Sequence, residues 1–166
     1  MKMIWFKTVL CAMVGAAVLP AQAHHTPEHS AAMGDPVEPV GARALSITGC
    51  WVRALPAQVP SAAYFTVSNS SDRGTTLTDV ATDAYGSVMM HATTQTGGMS
   101  RMTMAHDVAV PARGRVAFEP GGLHVMLSKP TRALEVGKTV DFTFVFAGNV
   151  SVRAPCTIRE ASALTN

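Results

Sequence analysis

A period-two alternation of apolar and polar side chains in the last third of the chain constrains its fold most. From Lys138 to Ala147 every second position is large and apolar, namely Val140, Phe142, Phe144 and Phe146. Successive side chains of a β-strand point to opposite faces, so this pattern predicts a strand with one buried face. The turn pair Gly148-Asn149 follows, and the alternation resumes as far as Ile158.

Other segments carry strand signals bounded by Gly, Pro and Asn turns. Gly97-Gly98 is a hairpin signal, and Gly49 marks a bulge in the first strand. The remaining predicted strands are Leu45–Arg53, Ala62–Ser68, Thr75–Thr82, Ser87–Thr94, Met99–Val108, Arg115–Phe118, Leu123–Ser128 and Val150–Ile158. Short strands without a convincing amphipathic helix predict an all-β single domain, a Greek-key β-sandwich or barrel. Its expected core includes Trp51, Tyr64 and Phe65 with Phe142–Phe146.

Residues 1–23 have the features of a cleavable export signal. Basic residues open the segment, an apolar run covers Thr8–Leu19, and Ala21-Gln22-Ala23 supplies a small-x-small cleavage site. A membrane anchor is the alternative, but the run is shorter than the ~20 residues a span needs. Lipoprotein processing at Cys11 is disfavoured by the large Leu10 before it. We expect an exported protein that begins at His24, without stable membrane insertion.

Export leaves two cysteines, Cys50 and Cys156, at opposite ends of the predicted fold. In an oxidising compartment an even pair is a disulfide candidate, and two buried free thiols are the alternative. We favour the disulfide, because a free thiol in an exported protein is vulnerable to oxidation.

Residues 24–41 form a Pro-rich, aperiodic segment that we expect to be flexible, ahead of a folded domain at 42–166. This leader contains a small group of metal-binding side chains, which are His24, His25, His29 and Met33. His-rich tracts can bind metal, so a secondary and weak copper site, including Cu(II), is one hypothesis. The other is that a polar tail carries a few histidines by chance.

Charge excludes one class of partner. Only 14% of residues are charged, the formal net charge is +2, and Lys and Arg are scattered singly. Nucleic-acid binding usually requires a basic patch, and the sequence shows none.

The main candidate functional side chains lie between His91 and Met126. His124 and Met126 are two residues apart and therefore share a face of their strand, as do Met102 and Met104. A two-residue hairpin loop places His91 opposite Met104, whereas a four-residue loop places it opposite Met102. Strand geometry therefore leaves the two methionines as alternatives. Imidazole and thioether are soft, neutral donors, and they suit Cu(I) better than Zn, Mg or Ca.

The sequence lacks the residues that other kinds of functional site require. There is no nucleophile-elbow motif, and neither mature cysteine lies near a histidine in sequence, as covalent catalysis or a blue-copper centre would require. Haem-attachment, zinc-type CxxC and phosphate-loop motifs do not occur in the sequence. We expect a protein without enzymatic activity.

The spacing His91-x10-Met102-x21-His124-x-Met126 resembles the metal motif of the periplasmic copper chaperones of the PCuAC family. The resemblance covers roughly Cys50–Val152. It includes three further segments, which are Trp51-Val52-Arg53-Ala54 with Ala62-Ala63-Tyr64-Phe65 and Asn69, Val110-Pro111-Ala112, and Pro120-Gly121-Gly122. It implies a cupredoxin-like fold and one Cu(I) held by the four motif residues, with Met102 rather than Met104 as a ligand. The cysteine pair and the N-terminal position of the His-rich segment depart from the family pattern.

By this resemblance the chain is a periplasmic Cu(I) carrier that supplies the CuA centre of cytochrome c oxidase. Its expected partner is a copper-accepting assembly factor or oxidase subunit II. A periplasmic protein that sequesters copper for tolerance would use the same residues and is the alternative. A third reading is an adhesion or assembly module in which the histidines and methionines are incidental.

Overall fold

The computed structural model describes residues 40–162, and these residues form an all-β fold. A single 3-10 turn, Ala42–Ala44, precedes the strands. The strands are β1 Leu45–Arg53, β2 Ser61–Asn69, β3 Thr75–Ala81, β4 Tyr85–Thr96, β5 Met99–Met104, β6 Val108–Val110, β7 Arg115–Phe118, β8 Leu123–Pro130, β9 Thr139–Phe146 and β10 Val150–Arg159. This confirms the all-β prediction. Within residues 40–162, no helix is long and apolar enough to cross a membrane.

Hydrogen bonds join the strands into one sheet with the order β5-β4-β8-β2-β1-β10-β9-β3-β6. β7 lies off this path and pairs with β2. The first half of β2 pairs with β8 and its second half with β7, so β7 and β8 share one side of β2. The turn between them, residues 119–122, leads directly into β8 and ends two residues before His124. β1 and β10 pair in parallel, and the other pairs are antiparallel.

The core lies on one face of this sheet. Alternate residues of β9 enter it as the sequence predicts, with Phe142 and Phe144 fully buried. Phe65 stacks on Phe118 at a ring-centroid distance of 4.3 Å and meets Phe144 edge-on at 4.7 Å. Burying such aromatic rings supplies much of the hydrophobic driving force of a small domain.

Trp51 and Tyr64 are buried as expected, but they lie on the opposite face from Phe65. They are cross-strand partners with ring centroids 4.6 Å apart. The Arg159 guanidinium covers the Trp51 ring at 5.3 Å, and that of Arg53 covers the Tyr64 ring at 5.6 Å. The outer face of the sheet therefore carries its own packed cluster.

One predicted strand, Met99–Val108, is wrong in extent. It ends at Met104, and a separate strand, Val108–Val110, pairs with β3 at the other edge of the sheet. The chain leaves one sheet edge and joins the other across residues 105–107. The crossover, Ala105-His106-Asp107, contains neither Gly nor Pro, so no strong turn signal in the sequence marks it.

The bulge predicted at Gly49 is confirmed. The register of β1 against β2 shifts between Thr48 and Trp51, and Gly49 has a φ of 59°, which glycine adopts without steric cost. The structure joins Cys50, within this bulge, to Cys156 of β10 as a disulfide, with Cα atoms 4.5 Å apart. The signal segment, residues 1–23, and the histidines and Met33 of the leader lie outside the described residues.

Candidate metal centre

The predicted site residues lie on the outer face of three adjacent strands, with β4 between β5 and β8. His91 of β4 stands opposite His124 of β8 and, on its other side, opposite Met104 of β5. Directly paired residues share a face of the sheet, so these three side chains project the same way. The two imidazole ring centroids are 5.8 Å apart.

Met126 extends the same face along β8. It stands opposite Met89 of β4 and opposite Ala62 of β2. Because it follows His124 by two residues, both side chains leave the strand in the same direction. The structure therefore brings His91, His124 and Met126 together on one surface.

The β4–β5 hairpin has the two-residue loop, with Gly97 and Gly98 both at positive φ. The register places Met102 opposite Thr93, two pairs further along the ladder than His91 and Met104 and therefore on the same face. Of the two registers open from the sequence, the shorter loop is the one that occurs.

Cavity lining separates the two methionines that the register leaves on one face. A surface cavity of about 460 Å³ is lined by Met102, His124 and Met126 together with Thr93 and other residues. Met104 instead lines a second cavity, whose β4 residues, 88–90, precede His91 in the strand, whereas those of the first cavity follow it. Direct pairing therefore favours Met104, whereas the shared cavity favours Met102.

The turn before β8 fixes the orientation of His124. Its Nδ1 lies 3.1 Å from the carbonyl oxygen of Gly122, which also accepts a hydrogen bond from the backbone N–H of Thr93 at 3.1 Å. A carbonyl can only accept, so we assign the ring proton to Nδ1. The lone pair of the neutral ring is then on Nε2. A metal-binding histidine is commonly held in this way.

The ring of His91, unlike that of His124, has no hydrogen bond within residues 40–162 to orient it. Both of its ring nitrogens are buried and neither has a hydrogen-bond partner. Burial, with a smaller contribution from neighbouring His124, lowers the pKa of His91 from its usual value of 6.5 and so favours the neutral ring. A buried, unpaired polar atom costs about 1–3 kcal/mol, and an absent ion is one recognised reason for it. A metal ion bound by one nitrogen of His91 would remove that cost for that nitrogen.

The motif residue on the edge strand is more exposed to solvent than the one on the innermost of the three strands. His124, on an inner strand, is 8% exposed, whereas Met102, on the edge strand β5, is 53% exposed. Together the four residues offer two imidazole nitrogens and two thioether sulfurs without a formal charge. Such a set suits Cu(I).

Sequence reasoning missed the carbonyl of Gly122 as an orienting group. The available signal was the tight Pro120-Gly121-Gly122 turn two residues before His124. In that turn Gly121 adopts a φ of 84°, which brings the next carbonyl back towards the imidazole.

Comparison with known proteins places the chain among copper-related domains. A family model whose description names an LpqE-like lipoprotein matches residues 45–156. The chain is similar to a copper-bound PCuAC domain from PmoF2, with 26% identity, a TM-score of 0.59, and coverage of 70% of this chain and 93% of that one. It is also similar to the Cu(I) form of DR1885 from Deinococcus radiodurans, with 33% identity, a TM-score of 0.56, and coverage of 76% and 83%.

A curated relative is protein RP573 of Rickettsia prowazekii. It is 30% identical over 90 residues, which are 54% of this chain and 50% of that protein. The match thus spans half the length of that relative.

Proposed function

This chain belongs to the LpqE-like, PCuAC-type family with a cupredoxin-like β fold, and we propose that it is an exported Cu(I) chaperone. The proposed ligands are His91, Met102, His124 and Met126. Two solved structures similar to this chain are described as copper-bound or Cu(I)-bound, which supports copper as the metal. We propose that the protein carries the metal and is not an enzyme.

The observation that carries the proposal is the pair of histidines. His91 has two buried nitrogens without partners, and His124 is held by Gly122 with its Nε2 lone pair available. The rings lie side by side on one face, 5.8 Å apart between centroids. Two imidazoles arranged in this way can bind a soft cation.

The gradient of exposure suggests how the metal is released. Met102 is half exposed on an edge strand, while His124 is buried on an inner strand. We propose that an acceptor displaces the Met102 thioether first and the histidines last. Because the ligands are neutral, each exchange leaves the charge of the protein unchanged, so the copper ion can be passed on stepwise.

The proposed destination is the CuA centre of cytochrome c oxidase, reached through an assembly factor or oxidase subunit II in the periplasm. The apolar run at Thr8–Leu19 and the lipoprotein description of the family support export. A role in copper delivery rather than storage is supported by the accessible edge of the site.

A transfer assay tests this function. The Cu(I)-loaded protein is mixed anaerobically with the metal-free, soluble CuA domain of subunit II, and the copper content of each protein is measured after rapid separation. We expect the acceptor to gain copper faster from the loaded protein than from a small chelator that buffers free Cu(I) at the same concentration. The variant H124A, loaded at the same total copper, is the matched control and should lose this advantage. Copper gained no faster than from the chelator would favour sequestration.

A further inference from the structure

A second cavity adjoins the proposed site and contains soft metal donors that the four-residue motif does not use. Its volume is about 120 Å³, and its lining includes Met89, Met104 and His106, together with Asp79 of β3. Its lining residues on β4, at positions 88–90, precede His91, whereas those of the cavity lined by Met102 and Met126 follow it.

We propose that Met89, Met104 and His106 form a second, weaker Cu(I) site, from which the metal passes to the first. This inference rests on the proposed function, because it assumes that the same metal is bound next door. One imidazole and two thioethers form the same kind of neutral, soft donor set as the main site. The Asp79 carboxylate in the cavity wall adds a negative charge that favours a cation.

Strand register explains why these donors converge. Met104 is paired with His91, and the ladder continues one step further, because the backbone N–H of Ala105 donates to the carbonyl of Met90 at 2.9 Å. The next residues along, His106 and Met89, are thereby brought to the same level. His106 follows the end of β5, and it lines the same cavity as Met89 and Met104.

Each methionine of the second site directly neighbours a ligand of the first. Met104 stands opposite His91, and Met89 stands opposite Met126. Directly opposed residues of an antiparallel pair have Cα atoms about 4.5–5.5 Å apart. A copper ion can therefore exchange one donor at a time between the sites without leaving the surface of the sheet.

The second site should be the weaker of the two. It uses three soft side-chain donors instead of four, because Met90, which also lines the cavity, is 7% exposed and packs in the core. His106 is exposed, and Met104 is 53% exposed to water. Weak binding next to tight binding suits a point of entry, since the metal then moves spontaneously towards the four-ligand site.

Methyl NMR of the methionines tests the proposal directly. The full chain, labelled with ¹³C at the methionine methyl groups, is titrated anaerobically with Cu(I), whose closed d shell leaves the signals sharp. Substitutions such as M89L and M104L assign the resonances at nearly constant side-chain volume. We expect Met102 and Met126 to shift during the first equivalent, and Met89 with Met104 only during later equivalents, with a dissociation constant at least tenfold higher.

The variant H106A should abolish the later shifts and leave the first step unchanged. M99L is the matched control, because Met99 is on the same strand as Met104, is 76% exposed and lines neither cavity. It should alter neither step. Methyl signals of Met89 and Met104 that stay fixed up to four equivalents would overturn the second site. So would shifts within the first equivalent, because these residues would then belong to the main site. The proposed function fails separately, if Met102 and Met126 do not move at all.

Discussion

Removal of the Cys50–Cys156 disulfide should greatly destabilise the protein and leave copper binding intact. The bridge links residues 106 positions apart, and in the chain-entropy model a loop of this length restrains the unfolded chain by about 4.7 kcal/mol. A domain of this size typically has a free energy of unfolding of about 5–15 kcal/mol. The double variant C50A/C156A should therefore fold, but with a much smaller margin.

The expected shift in melting temperature follows from the size of the domain. Unfolding entropy is about 2.1 cal/mol/K per residue, so roughly 120 residues give about 0.25 kcal/mol/K. A loss of about 4.7 kcal/mol then lowers Tm by about 15–20 °C. Urea unfolding and calorimetry of the oxidised wild type, the reduced wild type and the double variant measure this effect.

Alanine is the appropriate replacement, because a reduced thiol would itself bind Cu(I) and obscure the second readout. The cysteines lie on β1 and β10, whereas the proposed ligands lie on β4, β5 and β8. At low temperature without denaturant, the double variant should therefore bind Cu(I) within about threefold of the wild-type affinity, or ~0.7 kcal/mol. A decrease in Tm of less than about 5 °C would refute the entropic argument. A loss of copper binding in the folded protein would refute the separation of the two regions.

Three further outcomes are expected. F65A should destabilise the domain by about 3–5 kcal/mol in urea unfolding, because Phe65 is fully buried, whereas V59A at a half-exposed position should stay within about 0.5 kcal/mol. G98A should cost about 1–2 kcal/mol because Gly98 has a φ of 79°, while G41A, without positive φ or nearby atoms, should be close to neutral by the same measurement. Burial holds the pKa of His91 below 6.5, so the unfolded chain takes up a proton there before the folded chain does. The free energy of unfolding of the metal-free protein should therefore fall as the pH drops below 6.5, and by a smaller amount in H91Q; an equal fall in both proteins would contradict this assignment.

Strand periodicity was sufficient to predict most of the strands, because the sheet buries one face. A shift of the strand register by one residue would expose the apolar side chains of that face. Two predicted strands, Leu45–Arg53 and Arg115–Phe118, have the same limits in the structure. The crossover at residues 105–107 was missed, because whether a strand continues along one edge or moves to another depends on long-range pairing. The outward placement of Trp51 and Tyr64 depends likewise on contacts between strands, with Arg159 of β10 over Trp51 and Arg53 of β1 over Tyr64.

Shared-face geometry could be predicted for His124 with Met126, since it follows from residue parity alone. The hairpin register could not, because both loop lengths are compatible with Gly97-Gly98. Met102 lines one cavity with His124 and Met126, and residue spacing alone does not predict which strands' side chains line a cavity together. The choice of Met102 over Met104 as a ligand remains a prediction from the family motif, supported by that cavity.

The assignment of the ligands is the central claim, and anaerobic Cu(I) titration against a competing chelator tests it most directly. Wild type, M102A and M104A are compared, since the two methionines are on one strand, one face and equally exposed. The account predicts that M102A weakens the tightest site by at least tenfold, about 1.4 kcal/mol, and that M104A changes it by less than about threefold. Equal losses in the two variants, or a larger loss in M104A, would contradict the account.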